Sequence, residues 1–194
     1  MKLAFLSLVA FLIGSIPIGQ IIAKSRGIDL QKAGSGNIGA TNVLRTTGKW
    51  PALFTLIGDF AKGIAVIAIA RFFDVGIVSQ GAMGIIAVLG HNFSIFLKFK
   101  GGKGVATSLG VLSIYAPSAA LVTVILWLVT VALTRYSSLG AVVSFCSLPL
   151  SMFLLDTKEK LPIAIIMSII LLVRHSDNIK RLIAGTESKV GRKA

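Results

Sequence analysis

Long apolar runs constrain this chain more than any other feature. Several of them approach the roughly 17–25 residues that an apolar helix needs to cross a bilayer, and 55% of the 194 residues are hydrophobic. The sequence therefore predicts an all-α integral membrane protein with about seven transmembrane helices in a single polytopic domain, residues 1–194. The apolar segments are 3–23, 51–72, 76–97, 105–116, 117–134, 139–155 and 161–173.

Two of these segments need separate treatment. The stretch 105–134 would be about 45 Å long as one helix, whereas a hydrocarbon core is about 30 Å thick. Pro117 is expected to divide it into a short or half-spanning helix and a full span. The first segment is longer than the apolar core of a signal peptide and has no small-residue cleavage pattern after it, so we expect a retained first helix.

Basic residues are distributed unevenly between the two sides that this topology defines. The connections 24–50, 98–104 and 135–138 and the tail 174–194 carry fifteen of them, and the opposite side carries four. Because Lys and Arg favour the cytoplasmic side, we expect the N-terminus outside and the glycine-rich segments in the cytoplasm. The net charge of +13 is then expected to attract anionic headgroups or substrates. Nucleic acid is not expected as a partner, since aromatic and basic residues are not interleaved.

The first polar segment, residues 33–49, combines glycines with hydroxyl, amide and cationic side chains. Ser35 or Asn37 could cap a helix, and Asn37, Thr41 and Arg45 would then form one polar stripe along it. Free N–H groups at the helix N-terminus and the Arg45 guanidinium suit phosphate oxygens. The alternative is a capped amphipathic helix on the membrane surface, although three glycines near Ser35 are costly for a simple cap.

A second glycine-rich segment, residues 98–104, precedes a predicted helix. Its glycines allow the backbone to wrap an anion, and Lys103 supplies positive charge. The pattern is not a Walker A loop, and an ordinary basic loop at the membrane edge is the alternative. His91, near the end of the preceding span, could be either a packed core residue or a functional one.

Ionisable side chains also occur in a third segment and inside one span. On a single helix, Arg174, Asn178 and Arg181 would share one face, and the alternative to a functional role is a basic helix that binds headgroups. Asp59 and Lys62 lie three residues apart within an apolar run. We expect them to form a buried pair that fixes helix packing, with direct catalysis as the alternative.

Several chemistries are excluded by the residues present. Two histidines, one cysteine and seven scattered acids form no convincing metal-ligand cluster, and there is no GxSxG motif. Neither His91 nor His175 is followed five positions later by an aspartate, which the thioester-dependent membrane acyltransferases require. The acidic metal-binding motif of the lipid phosphatidyltransferases is also missing. We therefore expect neither a metal nor a cofactor.

Four stretches follow one another along nearly the whole chain: GSGNIGATNVLR (34–45), GHNFSIFLKFKGGKGVATSLG (90–110), RYSSLGA (135–141) and RHSDNIKRLIAGTE (174–187). Together they resemble the bacterial acyl-phosphate-dependent glycerol-3-phosphate acyltransferases. The resemblance implies a multi-pass enzyme of the bacterial inner membrane with its motifs facing the cytoplasm. Such an enzyme transfers an acyl group from acyl phosphate to the 1-position of sn-glycerol 3-phosphate, giving lysophosphatidic acid and phosphate, and so begins phospholipid synthesis. The partners implied are acyl phosphate, glycerol 3-phosphate and membrane lipid.

The resemblance and the residue chemistry together give two sets of expected site residues. The catalytic set is Ser35, Arg45, Lys103, His175 and Asn178. The substrate-binding set is Gly34, Gly36, Asn37, Thr41, Asn42, His91, Gly101, Gly102, Gly104 and Ser138.

For the reaction we expect direct transfer without an acyl-enzyme, because acyl phosphate already carries a good leaving group. The proton of the glycerol hydroxyl would pass to the donor's own phosphate. Two mechanistic alternatives are His175 as general base and Ser35 as covalent nucleophile. Two other classes of protein remain open, namely a small carrier for a phosphorylated metabolite and a structural lipid-binding membrane protein.

Overall fold

Helices form most of the chain. The computed structural model describes residues 1–191, and those residues contain no β-strand. Single 3₁₀ turns at Ile95–Leu97 and Lys158–Lys160 lie at helix ends. The α-helices within the described range are α1 (Lys2–Ser15), α2 (Ile18–Lys24), α3 (Ala40–Thr46), α4 (Lys49–Phe72), α5 (Ile77–Asn92), α6 (Val105–Tyr115), α7 (Pro117–Thr134), α8 (Ser137–Leu155), α9 (Leu161–Arg174) and α10 (Ser176–Ile183).

The predicted succession of apolar segments is confirmed. Within the described residues, five helical segments are long and apolar enough to cross a membrane, and α9 with α10 gives a sixth if that bent pair counts as one span. Helix α6 is the predicted short one, with 11 residues before Pro117. The five full segments are Lys2–Lys24, Lys49–Phe72, Ile77–Leu97, Pro117–Thr134 and Ser137–Leu155.

The first span is interrupted, although its sequence predicted one continuous helix. Pro17 has no N–H to donate and its ring clashes with the preceding turn, so α1 ends at Ser15 and α2 begins at Ile18. The break exposes the carbonyl of Ile16, which accepts a hydrogen bond from the Lys62 ammonium at 3.0 Å. A lysine from α4 thus satisfies part of the backbone that the proline disrupts.

Helix packing relies on glycines, as is common in membranes, where close backbone approach replaces the hydrophobic effect. A Cβ atom at Gly63 of α4 would overlap the Thr107 carbonyl of α6, and one at Gly110 of α6 would overlap the Phe60 carbonyl of α4. Gly14 and Gly90 make the same kind of contact between α1 and α5. Because α6 lies so close to α4, the loop that precedes α6 is held against the protein interior.

That loop, residues 98–104, turns back along α5. The Gly101 N–H donates to the Asn92 carbonyl at 3.1 Å, and the Gly102 N–H donates to the His91 carbonyl at 3.0 Å. Both carbonyls belong to the last two residues of α5. The glycine-rich loop is therefore bonded to the end of α5, and the 11 residues of α6 that follow it form about 16 Å of helix.

Candidate functional site

A cavity of about 680 Å³ lies where α3, the loop 98–104, the start of α8 and helix α10 meet. One end is polar and the other is apolar, with α4, α6 and α7 forming the apolar wall. The cavity therefore offers one part suited to anions and one suited to a hydrocarbon chain. The polar lining includes Ser35, Asn37, Thr41, Asn42, Arg45, Lys103, Ser138, His175, Asn178, Arg181 and Glu187, and the apolar lining includes Leu56, Ile57, Phe60, Leu109, Val124, Trp127 and Leu128.

Asn42 organises the first glycine-rich loop. Its Oδ1 accepts the Ser35 N–H at 2.8 Å, and its Nδ2 donates to the carbonyls of Ala33 at 3.0 Å and Asn37 at 2.8 Å. Gly34 adopts φ +58°, and a Cβ atom there would overlap Asn42 Oδ1. The buried amide thus determines where Ser35 lies at the cavity wall.

The predicted helix cap in this segment was wrong. Helix α3 begins at Ala40 with Gly39 as its N-cap and no side-chain cap, because Asn42 holds the preceding residues in a loop. Asn37 lies before the helix, and its Oδ1 accepts the Gly39 N–H at 3.1 Å. Asn37 is therefore not part of a helical stripe with Thr41 and Arg45, although all three line the cavity.

Arg45 is held over the cavity by the C-terminal segment. Its Nη2 donates to the Ser188 carbonyl at 3.0 Å, and its buried Nε has no hydrogen-bond partner among the described residues. Nearby, Thr41 Oγ1 lies 3.3 Å from Ser137 Oγ. The guanidinium thus retains donor capacity, which a phosphate oxygen would satisfy.

Lys103 projects from the second glycine-rich loop and contacts the Oδ1 of Asn178. Burial lowers its pKa to about 8, and the nearby Arg181 acts in the same direction. Arg174 donates from Nε and Nη2 to the Gly102 carbonyl at 3.3 and 2.9 Å, which attaches the loop to α9. These contacts hold the Lys103 ammonium on one side of the cavity.

The third segment is not one helix, contrary to the sequence prediction. Helices α9 and α10 are bent by 60° at His175, so Arg174 and Asn178 lie on different helices and both reach the second loop. His175 Nδ1 lies 2.9 Å from the Leu171 carbonyl. Since a carbonyl can only accept, Nδ1 carries the proton and Nε2 is left as the acceptor of this cavity-lining ring.

Glu187 was not predicted as a site residue. Its Oε1 accepts from Ser138 Oγ at 2.7 Å and from Asn178 Nδ2 at 2.6 Å, and its Oε2 accepts from Arg181 Nε at 2.7 Å. Burial would raise its pKa, but these hydrogen bonds outweigh burial and hold the pKa of Glu187 below its ordinary value. The sequence feature that could have identified Glu187 is its position, as an acidic residue at the end of a strongly basic segment.

The expected site residues fall into two groups. Gly104, His91 and the polar residues expected in the site all line the cavity. Gly34, Gly36, Gly101 and Gly102 are not among its lining residues, and they shape the backbone behind its wall. Contact with substrate remains a prediction for the residues of both groups.

The predicted buried pair of Asp59 and Lys62 is confirmed. Lys62 Nζ lies 2.9 Å from Asp59 Oδ1, and both side chains are almost fully buried. The pair includes a third member, because Lys62 Nζ also lies 2.8 Å from His91 Nδ1. Asp59 and His91 reach the edge of the cavity lining.

Comparison with known proteins gives consistent results along nearly the whole chain. The family model described as glycerol-3-phosphate acyltransferase matches residues 4–185. The chain is 42% identical to the glycerol-3-phosphate acyltransferase of Geobacter sulfurreducens, with 95% of each chain covered. It is 45% identical to that of Mesorhizobium japonicum, with 94% of this chain and 93% of the relative covered.

Two solved structures have the same architecture. Both are crystal structures of PlsY, described as an integral membrane glycerol 3-phosphate acyltransferase, and each is 39% identical to this chain. The glycerol 3-phosphate form matches with a TM-score of 0.92 over 98% of this chain and 96% of the other. The lysophosphatidic acid form matches with a TM-score of 0.89 over 97% and 95%.

Proposed function

The chain belongs to the glycerol-3-phosphate acyltransferase family, and from this membership we propose that it transfers an acyl group from acyl phosphate to the 1-hydroxyl of sn-glycerol 3-phosphate. The products are lysophosphatidic acid and inorganic phosphate. One observation carries the proposal: a single cavity joins a cationic, hydroxyl-rich end to an apolar wall. Acyl phosphate, which combines a phosphate with a hydrocarbon chain, uses both parts of the cavity, and glycerol 3-phosphate uses the cationic part.

The acyl phosphate donor is supported by the number of cations around the cavity. Arg45, Lys103 and Arg181 line it, and Arg174 lies behind the second loop. Donor and acceptor each bring a phosphate, so two anionic groups must be accommodated together. Guanidinium groups bind phosphate in a forked geometry, and an ammonium contributes a point charge.

The proposed chemistry is a direct displacement at the acyl carbon. The 1-hydroxyl oxygen of glycerol 3-phosphate forms a bond to that carbon, and the bond from the carbon to the phosphate oxygen breaks. Arg45 and Lys103 stabilise the charge that accumulates on the departing phosphate. Ser35, Asn37, Thr41 and Asn178 orient the two substrates and the developing oxyanion. The leaving phosphate takes the hydroxyl proton.

His175 provides the test of that proton assignment. Its Nδ1 proton is committed to the Leu171 carbonyl, so Nε2 is an available acceptor and a general base is the competing mechanism. A general base contributes about 10²–10⁴-fold to the rate. We expect His175→Asn to lose less than that and to retain the wild-type dependence of kcat on low pH. A larger loss, with the low-pH limb abolished, would assign the proton to His175.

We also propose that the cavity faces the cytoplasm of the bacterial inner membrane, with the N-terminus outside. Residues of the first and second glycine-rich loops, of the start of α8 and of the C-terminal segment line this cavity. They belong to the connections 24–50, 98–104 and 135–138 and the tail 174–194, which carry fifteen of the 20 basic residues, and such residues favour the cytoplasmic side. In that orientation glycerol 3-phosphate enters from the cytosol and the acyl chain from the bilayer.

The function is tested with detergent-purified protein, acyl phosphate and glycerol 3-phosphate, following phosphate release. We expect release to require the acceptor and to fall about 10²–10³-fold in Arg45→Ala and Lys103→Ala. Arg26→Ala is the matched control, since Arg26 is an exposed cation of the connection that precedes α3. Normal release in all three variants, or no release by folded wild-type protein, would overturn the proposal, and uptake into vesicles would then test a carrier.

A further inference from the structure

Asp59, Lys62 and His91 form a triad inside the membrane-spanning part of the protein. The three residues are only 2%, 5% and 4% exposed. Lys62 Nζ lies 2.9 Å from Asp59 Oδ1, 2.8 Å from His91 Nδ1 and 3.0 Å from the Ile16 carbonyl oxygen. Ionisable groups inside a membrane-spanning segment are costly unless they are paired, and these three are paired with one another.

The hydrogen bonds of Lys62 determine the protonation of the histidine ring. An ammonium group can only donate, and here it has hydrogen-bond partners in the Ile16 carbonyl and His91 Nδ1, while Asp59 Oδ1 lies at ion-pair distance. Accepting a proton at Nδ1 places the remaining ring proton of His91 on Nε2. The contact from Lys62 to Nδ1 therefore holds the His91 ring in one orientation, between α4, α5 and the break in the first span.

The Nε2 edge of that ring lies against the second glycine-rich loop. A Cβ atom at Gly102 would overlap His91 Nε2, so the ring limits how closely the loop approaches α5. The Gly102 N–H bonds to the His91 carbonyl, and the Gly102 carbonyl accepts from Arg174. The position of the next residue, Lys103, follows from the position of this glycine.

We propose that the Asp59–Lys62–His91 triad is a platform that sets how closely the loop 98–104 approaches α5, and thereby places Lys103 against its phosphate. The three are positioning residues, and His91, which the sequence placed in the substrate-binding set, acts in this proposal through its contact with Gly102. This inference rests on the proposed function, in which Lys103 stabilises the leaving phosphate. Because the hydrogen bond from Lys62 to His91 is directional, the His91 ring resists displacement more than an apolar side chain in the same place would.

The contact between His91 and Gly102 is tested with a double-mutant cycle on kcat/KM. We expect Gly102→Ala to cost about 100-fold in the wild-type background and less than about 10-fold in a His91→Ala background, where the ring is absent. Gly101→Ala is the matched control, because its Cβ atom would overlap the His91 carbonyl instead of the ring. Its cost should be equal in both backgrounds. Equal costs of Gly102→Ala in both backgrounds would overturn the proposal.

A second measurement applies even if the alanine variant at Gly102 does not fold. In Lys62→Met, a residue of similar length leaves the platform without its ammonium. We expect backbone hydrogen exchange of the loop 98–104 to rise at least about tenfold while peptides of α8 are unchanged. Lys103→Ala should lose activity with no change in loop exchange. Exchange of Lys62→Met that is unchanged in the loop, or raised throughout the protein, would overturn the proposal.

The two proposals fail in different ways. If wild-type protein releases phosphate with glycerol 3-phosphate but the cycle shows no coupling, only the platform is wrong. If folded wild-type protein shows no acceptor-dependent release while the loop exchange responds to Lys62→Met, the proposed function is wrong and the platform remains.

Discussion

The charge of the Lys103 side chain depends on pH. Charged and polar groups face it from α9, α10 and the C-terminal segment: Arg174, Asp177, Asn178, Arg181 and Glu187. Burial is the largest cause of its lowered pKa, about 8, and the two arginines act in the same direction. The side chain is therefore charged below pH 8 and loses its charge as the pH rises through that value.

We expect kcat/KM to be constant below about pH 7, to be about halved at pH 8 and to fall about tenfold per pH unit above about pH 9, as the charged form disappears. Lys103→Arg is the control, because a guanidinium stays protonated throughout this range. The variant should be less active but should lack the high-pH limb. A limb that persists in Lys103→Arg would show that another group titrates.

Arg45 should respond to the shape of its replacement as well as to its charge. Its Nη2 is committed to the Ser188 carbonyl while Nε has no partner among the described residues. A lysine retains the charge but lacks the fork. We expect Arg45→Lys to lose about 10–100-fold in kcat/KM and Arg45→Ala to lose more, as measured by phosphate release. Equal activities of the two variants would show that the forked geometry is not used.

At the scale of the element, the loop before α3 depends on one buried amide. Asn42 accepts one backbone N–H and donates to two nearby backbone carbonyls. Removing the amide leaves these buried backbone groups unpaired, at a cost of about 3 kcal/mol. We expect Asn42→Ala to lower the unfolding temperature in detergent and to abolish activity through displacement of Ser35. Ser35→Ala, the comparison, should lose activity with an unchanged unfolding temperature.

The sequence allowed the elements to be predicted better than their ends. Hydrophobic runs and Pro117 predicted the spans, since length and apolarity decide whether a helix can cross a membrane. The bend at His175 and the late start of α3 were missed, because both depend on partners distant in sequence. Glu187 was missed for the same reason: its function becomes visible only when α8 and α10 bring three donors to its carboxylate.

At the scale of the whole molecule, the distribution of basic residues predicts which side the cavity faces. We expect single cysteines at Lys32 and Glu159, both exposed, to lie on opposite sides of the membrane when introduced into a Cys146→Ser background. In intact cells, an impermeant maleimide should label Glu159→Cys and leave Lys32→Cys unmodified until the membrane is permeabilised. The reverse pattern would place the cavity outside and the N-terminus in the cytoplasm.

The carboxylate of Glu187 has a consequence for the empty enzyme. It lies among Ser138, Asn178 and Arg181, all of which line the cavity intended for anions. Positive charges held close together repel one another, and the repulsion is stronger where water is scarce. Glu187 is therefore a built-in counter-ion, and it offsets one of the positive charges of Arg45, Lys103 and Arg181 around this cavity before any substrate binds.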